Sequence, residues 1–294
     1  MSEPFDLEFI DNRRRRVIPC RLYPASSEIA SPVILVSHGL GGSRRGMSYL
    51  GKAWSSAGLH CLFLQHPGSD SDTIESAPPM KRFKAFKEAA SLQNGLDRIA
   101  DVSFVLDELE AEVRTPDRLA GLKFDLWRIG MAGHSFGAAT SLAIAGRMYP
   151  SNQSYPDPRV KAFVTLSPQP VQTLSVDEAF GALKQPILCM TGTDDESPLT
   201  GKITPESRRD VYHAMPTGDK YLLVLDQANH FDFEERRRRR QPERDPRYHQ
   251  AIHEIGLRFC QAYLWNDDSA KRWLQSRSPL EDNILVPADH WEWK

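Results

Sequence analysis

Two kinds of hydrophobic pattern alternate along the chain. Short, nearly continuous apolar runs fall at 33–37, 59–64, 127–131, 160–166, 186–191 and 221–225. Runs of this length, bounded by Gly, Pro or polar residues, predict strands buried on both faces, as in a parallel sheet. Longer segments with helical spacing lie between them. The stretch 47–57 predicts a helix stopped by Gly58. Along 96–113, Ile99, Val102, Leu106, Leu109 and Val113 share one face. A helix is expected after the Gly133–Gly137 turn that follows the run at 127–131, reaching about residue 148, and another over 248–264 with Ile252, Ile255, Phe259 and Tyr263 near one face. Near the start, Phe5, Leu7 and Phe9 alternate with polar residues, and an apolar stretch follows at 17–23. These predict an antiparallel strand pair joined through Asp11-Asn12. The alternation as a whole predicts an α/β fold with a mainly parallel central sheet and helices on both faces. The run at 221–225 is expected to be its last strand.

Composition changes this picture little. The chain has 294 residues, 40% hydrophobic and 26% charged, with net charge -2. No global field points to nucleic acid or a membrane surface. No apolar run approaches the length of a membrane span, and Met1-Ser2-Glu3-Pro4 is unlike a secretory signal, so a cytoplasmic protein is expected. Cys20, Cys61, Cys189 and Cys260 lie far apart in sequence, and Cys61 and Cys189 fall inside strand-like runs. Reduced, buried thiols are expected rather than disulfides or a zinc site. His213, His249, His253 and His290 lack a metal-ligand spacing, so neither metal nor cofactor is expected. The basic run Arg13 to Arg16 reads as a solvated turn, and Trp291 and Trp293 in the tail as packing. Residues 74–95 and 234–247 read as excursions near a pocket mouth. No repeat or long linker divides 1–294, so a single domain is expected.

The candidate chemistry lies directly after the predicted strands. The run at 127–131 leads into Gly133-His134-Ser135-Phe136-Gly137, followed by Ala138 and Ala139. A serine between two glycines at a strand-to-helix junction is the sequence form of a nucleophile elbow. His38-Gly39-Leu40-Gly41-Gly42-Ser43 follows the run at 33–37. A phosphate cradle would need Gly-Lys-Ser/Thr or a full GxGxxG, and neither is present. Donation of backbone N–H groups to an oxyanion fits better, with His38 as a buried orienting residue. His66 and Asp70 belong to a loop that turn chemistry largely explains. A serine hydroxyl needs a base within reach, and the base needs an orienting carboxylate. Ser135, an Asp at 194 or 195, and His230 occur in the order nucleophile, acid, histidine, each just after a predicted strand. In open α/β sheets the ligand site lies at that end of the strands.

On His38-Gly39-Leu40-Gly41-Gly42, the Ser135 pentapeptide, Gly192-Thr193-Asp194-Asp195-Glu196-Ser197-Pro198 and Asn229-His230, the chain resembles α/β-hydrolases of the esterase and lipase kind. Among these it is most similar to predicted dienelactone hydrolases and platelet-activating-factor acetylhydrolase-like enzymes. The resemblance implies the α/β-hydrolase fold, with Ser135 as nucleophile and His230 as general base and then acid. It implies an oxyanion hole made by the backbone N–H groups of Leu40 and Phe136. The family pattern Gly-Thr-x-Asp-x-Ser-Pro implies Asp195 rather than Asp194 as the acid. Dienelactone hydrolases proper carry a cysteine nucleophile, so the serine here leaves the substrate open. The expected function is hydrolysis of small carboxylic esters with short acyl chains. Thioesterase, lactonase, amidase and acyltransferase activities would use the same residues. A different class of function, a binding protein using Arg236 to Arg240, is disfavoured because Glu234, Glu235 and Glu243 partly neutralise the run and no aromatics interleave with it.

Overall fold

The computed structural model describes residues 3–197, 199, 202–235 and 245–294. The run Arg236 to Arg240 and the residue Pro198 lie outside the described residues. The chain begins with an antiparallel pair, β1 (Phe5–Asp11) and β2 (Arg16–Tyr23). There follow β3 (Ser31–Ser37), α1 (Ser48–Ser56), β4 (His60–Leu64), α2 (Ser71–Glu75), α3 (Arg82–Ala89) and α4 (Leu92–Arg114). The middle of the chain supplies β5 (Phe124–His134), α5 (Phe136–Ile144), β6 (Val160–Leu166), α6 (Val176–Phe180), β7 (Ile187–Asp194) and α7 (Pro205–His213). It ends with β8 (Lys220–Asn229), α8 (Pro246–Leu264), α9 (Asp268–Leu274), α10 (Ser278–Glu281) and β9 (His290–Trp293).

The strands form one sheet in the order β1-β2-β4-β3-β5-β6-β7-β8-β9. From β4 to β8 all neighbours are parallel, and the antiparallel pairings lie towards the two edges. Every residue of β3 and of β4 is buried, which is why those runs are apolar without alternation. One face of the sheet packs on α4, α5, α6 and α7 through residues such as Val102, Leu142, Phe180 and Val211. The other packs on α1, α8 and α9 through Trp54, Ile255, Phe259 and Leu274. The chain leaves β3 for β4 on one side and returns to β5 on the other. Strand order therefore reverses between β3 and β5, and this crevice is where such sheets bind ligands.

Several expectations need correction. The strand at 221–225 is not the last, because the tail adds β9 antiparallel to β8. Trp291 there is 9% exposed, stacks on Tyr221 at 5.8 Å and donates its indole N–H to the Leu274 carbonyl at 3.1 Å. Trp293 stays more exposed. The segment 74–95 is mostly helical rather than irregular. On α4, Val113 is exposed, whereas Arg98 and Asp101 have no exposed surface at all. The run at 13–16 is not simply a solvated turn. Arg14 and Arg16 reach the buried Asp101 carboxylate at 2.9 and 2.7 Å, and so tie the N-terminal hairpin to α4. All four cysteines are buried free thiols, and burial pushes Cys189 up to about 11 and Cys260 up to about 12. Among the described residues no helix is long and apolar enough to cross a membrane.

Because its ring is enclosed between Tyr221 and α9, Trp291→Ala should lower the unfolding free energy by about 3–5 kcal/mol. Urea unfolding measures this, and a loss under about 1 kcal/mol would show β9 to be an appendage rather than part of the sheet.

Candidate active site

Ser135 is the single residue between β5 and α5, with φ 54° and ψ -111°. A non-glycine residue held there costs on the order of 1–3 kcal/mol. The crowding around it explains why its neighbours are glycines. A Cβ on Gly137 would overlap the Ser37 carbonyl oxygen, and one on Gly133 would overlap the backbone of Gly137. The end of β3, the end of β5 and the first turn of α5 therefore meet backbone to backbone. The Ser135 N–H donates to the Leu166 carbonyl at 2.9 Å, which fixes the turn against β6.

At the same end of the sheet, Ser135 Oγ lies 3.0 Å from His230 Nε2, and His230 Nδ1 lies 2.7 Å from Asp195 Oδ1. Thr191 Oγ1 donates to the other Asp195 oxygen at 2.8 Å. Asp195 is fully buried, and Ser135 and His230 are nearly so. Asp194, one residue earlier, is exposed and sits opposite Asn229 in the β7–β8 ladder. Of the two neighbours, only Asp195 turns inward onto the histidine.

Burial pushes the His230 imidazole down to about 4. The hydrogen bond to Asp195 opposes this, while His134 and the Arg208 guanidinium add to it. Burial alone would raise the Asp195 carboxyl; the His230 hydrogen bond, followed by the positive charge of Arg208, reverses this and holds it below its ordinary value. A neutral imidazole beside an ionised carboxylate is the resting state these forces favour. A carboxylate can only accept, so the Nδ1 proton points at Asp195 and Nε2 is left to accept from the serine hydroxyl.

Three supports were not anticipated from the sequence. Gln169 follows β6 and donates its Nε2 to Ser135 Oγ at 3.0 Å. Its place directly after a strand was the available signal. Arg208 on α7 has no exposed surface. Its Nε lies 3.0 Å from Asp195 Oδ1 and donates to the Asp195 carbonyl at 2.7 Å, and its Nη1 donates to the Ser167 carbonyl at 2.9 Å. Nη2 stands 3.1 Å from His230 Nδ1. One guanidinium thus joins the loops after β6, β7 and β8. His134 places its ring nitrogens 2.8 Å from Glu234 Oε1 and 3.1 Å from the His230 carbonyl, bracing the histidine loop.

A cavity of about 60 Å³ opens over Ser135 and His230, walled by Leu40, Phe86, Gln169, Leu199 and Phe231 among others. Phe86 comes from α3, inside the segment 74–95. Phe136 is the first residue of α5, where a backbone N–H has no partner within the helix. Among the described residues, neither the Leu40 nor the Phe136 N–H meets an internal acceptor. His38 is buried. Its Nδ1 faces the Gly39 carbonyl at 2.6 Å and its Nε2 accepts the His66 N–H at 3.0 Å. His66 is also buried, between Ser37 Oγ at 2.9 Å and Asp101 Oδ2 at 3.0 Å. Asp70 caps the N-terminus of α2. A larger cavity of about 600 Å³ lies at the opposite end of β5 and β6, beside Trp127 and Arg159, and contains none of the candidate residues. Among the described residues no group of three His, Cys, Asp or Glu side chains is placed to hold a metal ion.

The charges around His230 make its titration a direct test of this arrangement. Followed by NMR, its imidazole should titrate near pH 4 in the wild type. Removing the adjacent cation in Arg208→Met should move that value upward, and Asp195→Asn should move it down. The same depression makes folding stability fall as pH drops from the unfolded histidine value, about 6.5, towards 4. A wild-type value near 6.5, or one that Arg208→Met leaves unmoved, would contradict the geometry.

No family model and no curated protein matches the chain. Among solved structures it is similar to a ferulic acid esterase from Streptomyces cinnamoneus, at 17% sequence identity and a TM-score of 0.65, over 98% of this chain and 95% of that one. At that identity the two share a fold: a mixed α/β architecture with a mostly parallel central sheet.

Proposed function

We propose that this chain is an α/β-hydrolase and a serine carboxylic-ester hydrolase, with Ser135 as nucleophile, His230 as base and Asp195 as the acid that orients it. The observation that carries the reading is the unbroken line from Ser135 Oγ through His230 to the buried Asp195, at 3.0 and 2.7 Å. A fold shared with a solved ferulic acid esterase is compatible with it. In this mechanism His230 Nε2 takes the hydroxyl proton as Oγ attacks the ester carbonyl carbon. The carbonyl oxygen becomes an oxyanion and receives the N–H groups of Leu40 and Phe136; a donor of this kind is worth roughly 3 kcal/mol in the transition state. His230 then returns the proton to the leaving alcohol. Water, deprotonated by His230, attacks the acyl-serine and releases the acid. Gln169, which donates to Oγ, would favour Oγ as the departing group in that second half.

The cavity over Ser135 suits an acyl group of a few heavy atoms, which supports short-chain esters as the substrate class. We read 1–294 as one domain, with α3 at the mouth of the pocket. A thioester, lactone or amide would meet the same groups.

Treatment with a fluorophosphonate probe should label Ser135. Labelling should vanish in Ser135→Ala and fall in His230→Ala by at least about 100-fold in rate. Nitrophenyl acetate should be cleaved with a higher kcat/KM than the dodecanoate. Absence of labelling in the folded wild type would refute the nucleophile, and preference for the dodecanoate would refute the short-chain reading.

A further inference from the structure

Arg98 on α4 is a buried cation that makes no ion pair among the described residues, with Asp101 and Asp70 acting on it only from a distance. It has no exposed surface, and among the described residues no carboxylate oxygen lies within 4.0 Å of it. The obvious candidate, Asp101 one turn further on, is already engaged by Arg14, Arg16 and His66. Two of the guanidinium nitrogens, Nε and Nη1, are buried with no hydrogen-bond partner. Arg208 is equally buried but lies against Asp195. An uncompensated buried charge is expensive, and replacing such a group by an apolar one of similar size is often neutral or stabilising. Structural economy therefore does not account for Arg98.

Its contacts suggest what does. Arg98 Nη2 donates to the carbonyl of His38, the first residue of the loop that carries the Leu40 N–H. The same nitrogen lies 3.4 Å from Ser37 Oγ. The guanidinium carbon stands 4.5 Å from the centroid of the Phe136 ring. Phe136 bears the other candidate oxyanion donor. The two backbone segments also touch directly, since a Cβ on Gly137 would come within 2.9 Å of the His38 carbonyl oxygen. One cation thus touches both segments.

We infer that Arg98 is a positioning residue for the oxyanion site: it holds the loop at 38–40 and the first residue of α5 in register and adds positive potential where the ester oxygen becomes negative. This rests on the serine-hydrolase reading above. A preorganised charge near a developing anion acts without reorganising during the reaction. The orphaned nitrogens are the cost of placing a cation there, in the way functional sites depart from ordinary packing rules.

The test compares full-length wild type, Arg98→Met and Arg98→Lys. The inference expects Arg98→Met to keep or raise its thermal midpoint, while kcat on nitrophenyl acetate falls by about 10- to 100-fold with KM within threefold. Affinity for a trifluoromethyl ketone, whose serine adduct carries an oxyanion, should fall by the same factor as kcat/KM. Arg98→Lys should recover part of both. A lowered midpoint, or an Arg98→Met chain too unstable to assay, would overturn the inference by showing a structural role. Unchanged kcat and ketone affinity in a folded Arg98→Met would overturn it as well. Failure of the underlying reading looks different: wild type itself would then not be labelled at Ser135 by the fluorophosphonate, whereas a labelled wild type with unchanged kcat and ketone affinity in Arg98→Met sinks this inference alone.

Discussion

The structure around the candidate site depends on a backbone contact that only glycine allows. The first turn of α5 presses on the end of β3 so closely that Gly137 has no space for a methyl group. That contact fixes where α5 begins, and therefore where Ser135 must turn with a positive φ. The strain is held by what surrounds it. The Ser135 N–H is tied to β6, and α5 is largely buried along its length. The same contact brings the loop after β3 beside the serine. The turn at Ser135 and the placement of the loop after β3 follow from one close approach.

Around this rigid centre the chain uses buried charge to join segments distant in sequence. Asp101 collects Arg14, Arg16 and His66, which links the N-terminal hairpin, the loop after β4 and α4. Burial would raise its carboxyl; hydrogen bonds from His66 and Arg16 instead bring it down to about 2. The carboxylate therefore stays ionised throughout the neutral range. Arg208 plays a corresponding part on the other side of the serine, among the loops after β6, β7 and β8. Hydrophobic packing sets the layers of the sheet and its helices. The ionic clamps tie down the loops at the carboxyl ends.

Much of this could be read in the sequence, and the division has a physical basis. Mostly apolar runs announce β3 to β8, although Arg128 and Lys161 interrupt two of them and Trp127, expected to be buried, is 87% exposed. Their order, with a chemical residue after each, places Ser135, the Asp194-Asp195 pair, His230 and Leu40 at one end of the sheet. Three kinds of feature did not show. The strand β9 is four residues of alternating Trp and charge, too short for a periodic signal. Arg98 and Asp101 interrupt the inward face of α4, and a hydrophobicity pattern counts them as outward-facing although they are buried. Arg208 lies on α7, whose largely polar sequence gives little inward stripe to recognise. In each case tertiary partners far along the chain decide the outcome, and local pattern does not encode them.

The choice between Asp194 and Asp195 shows how far a motif and how far geometry can carry such an argument. A family pattern could prefer one of two adjacent acids but give no reason. The reason lies in the sheet. Asp194 is still paired within the β7–β8 ladder, so its side chain is fixed on the exposed side. At Asp195 the strand has ended, and the backbone turns so that the next side chain enters the interior. There Thr191, Arg208 and His230 supply the hydrogen bonds and charge that an ionised buried carboxylate requires. The carboxylate of Asp194 is exposed instead, on the side of the ladder away from the histidine. Which of the two carboxylates meets His230 is thus a consequence of where β7 stops, and that is set by the backbone pairing of β7 with β8 rather than by the carboxylate itself.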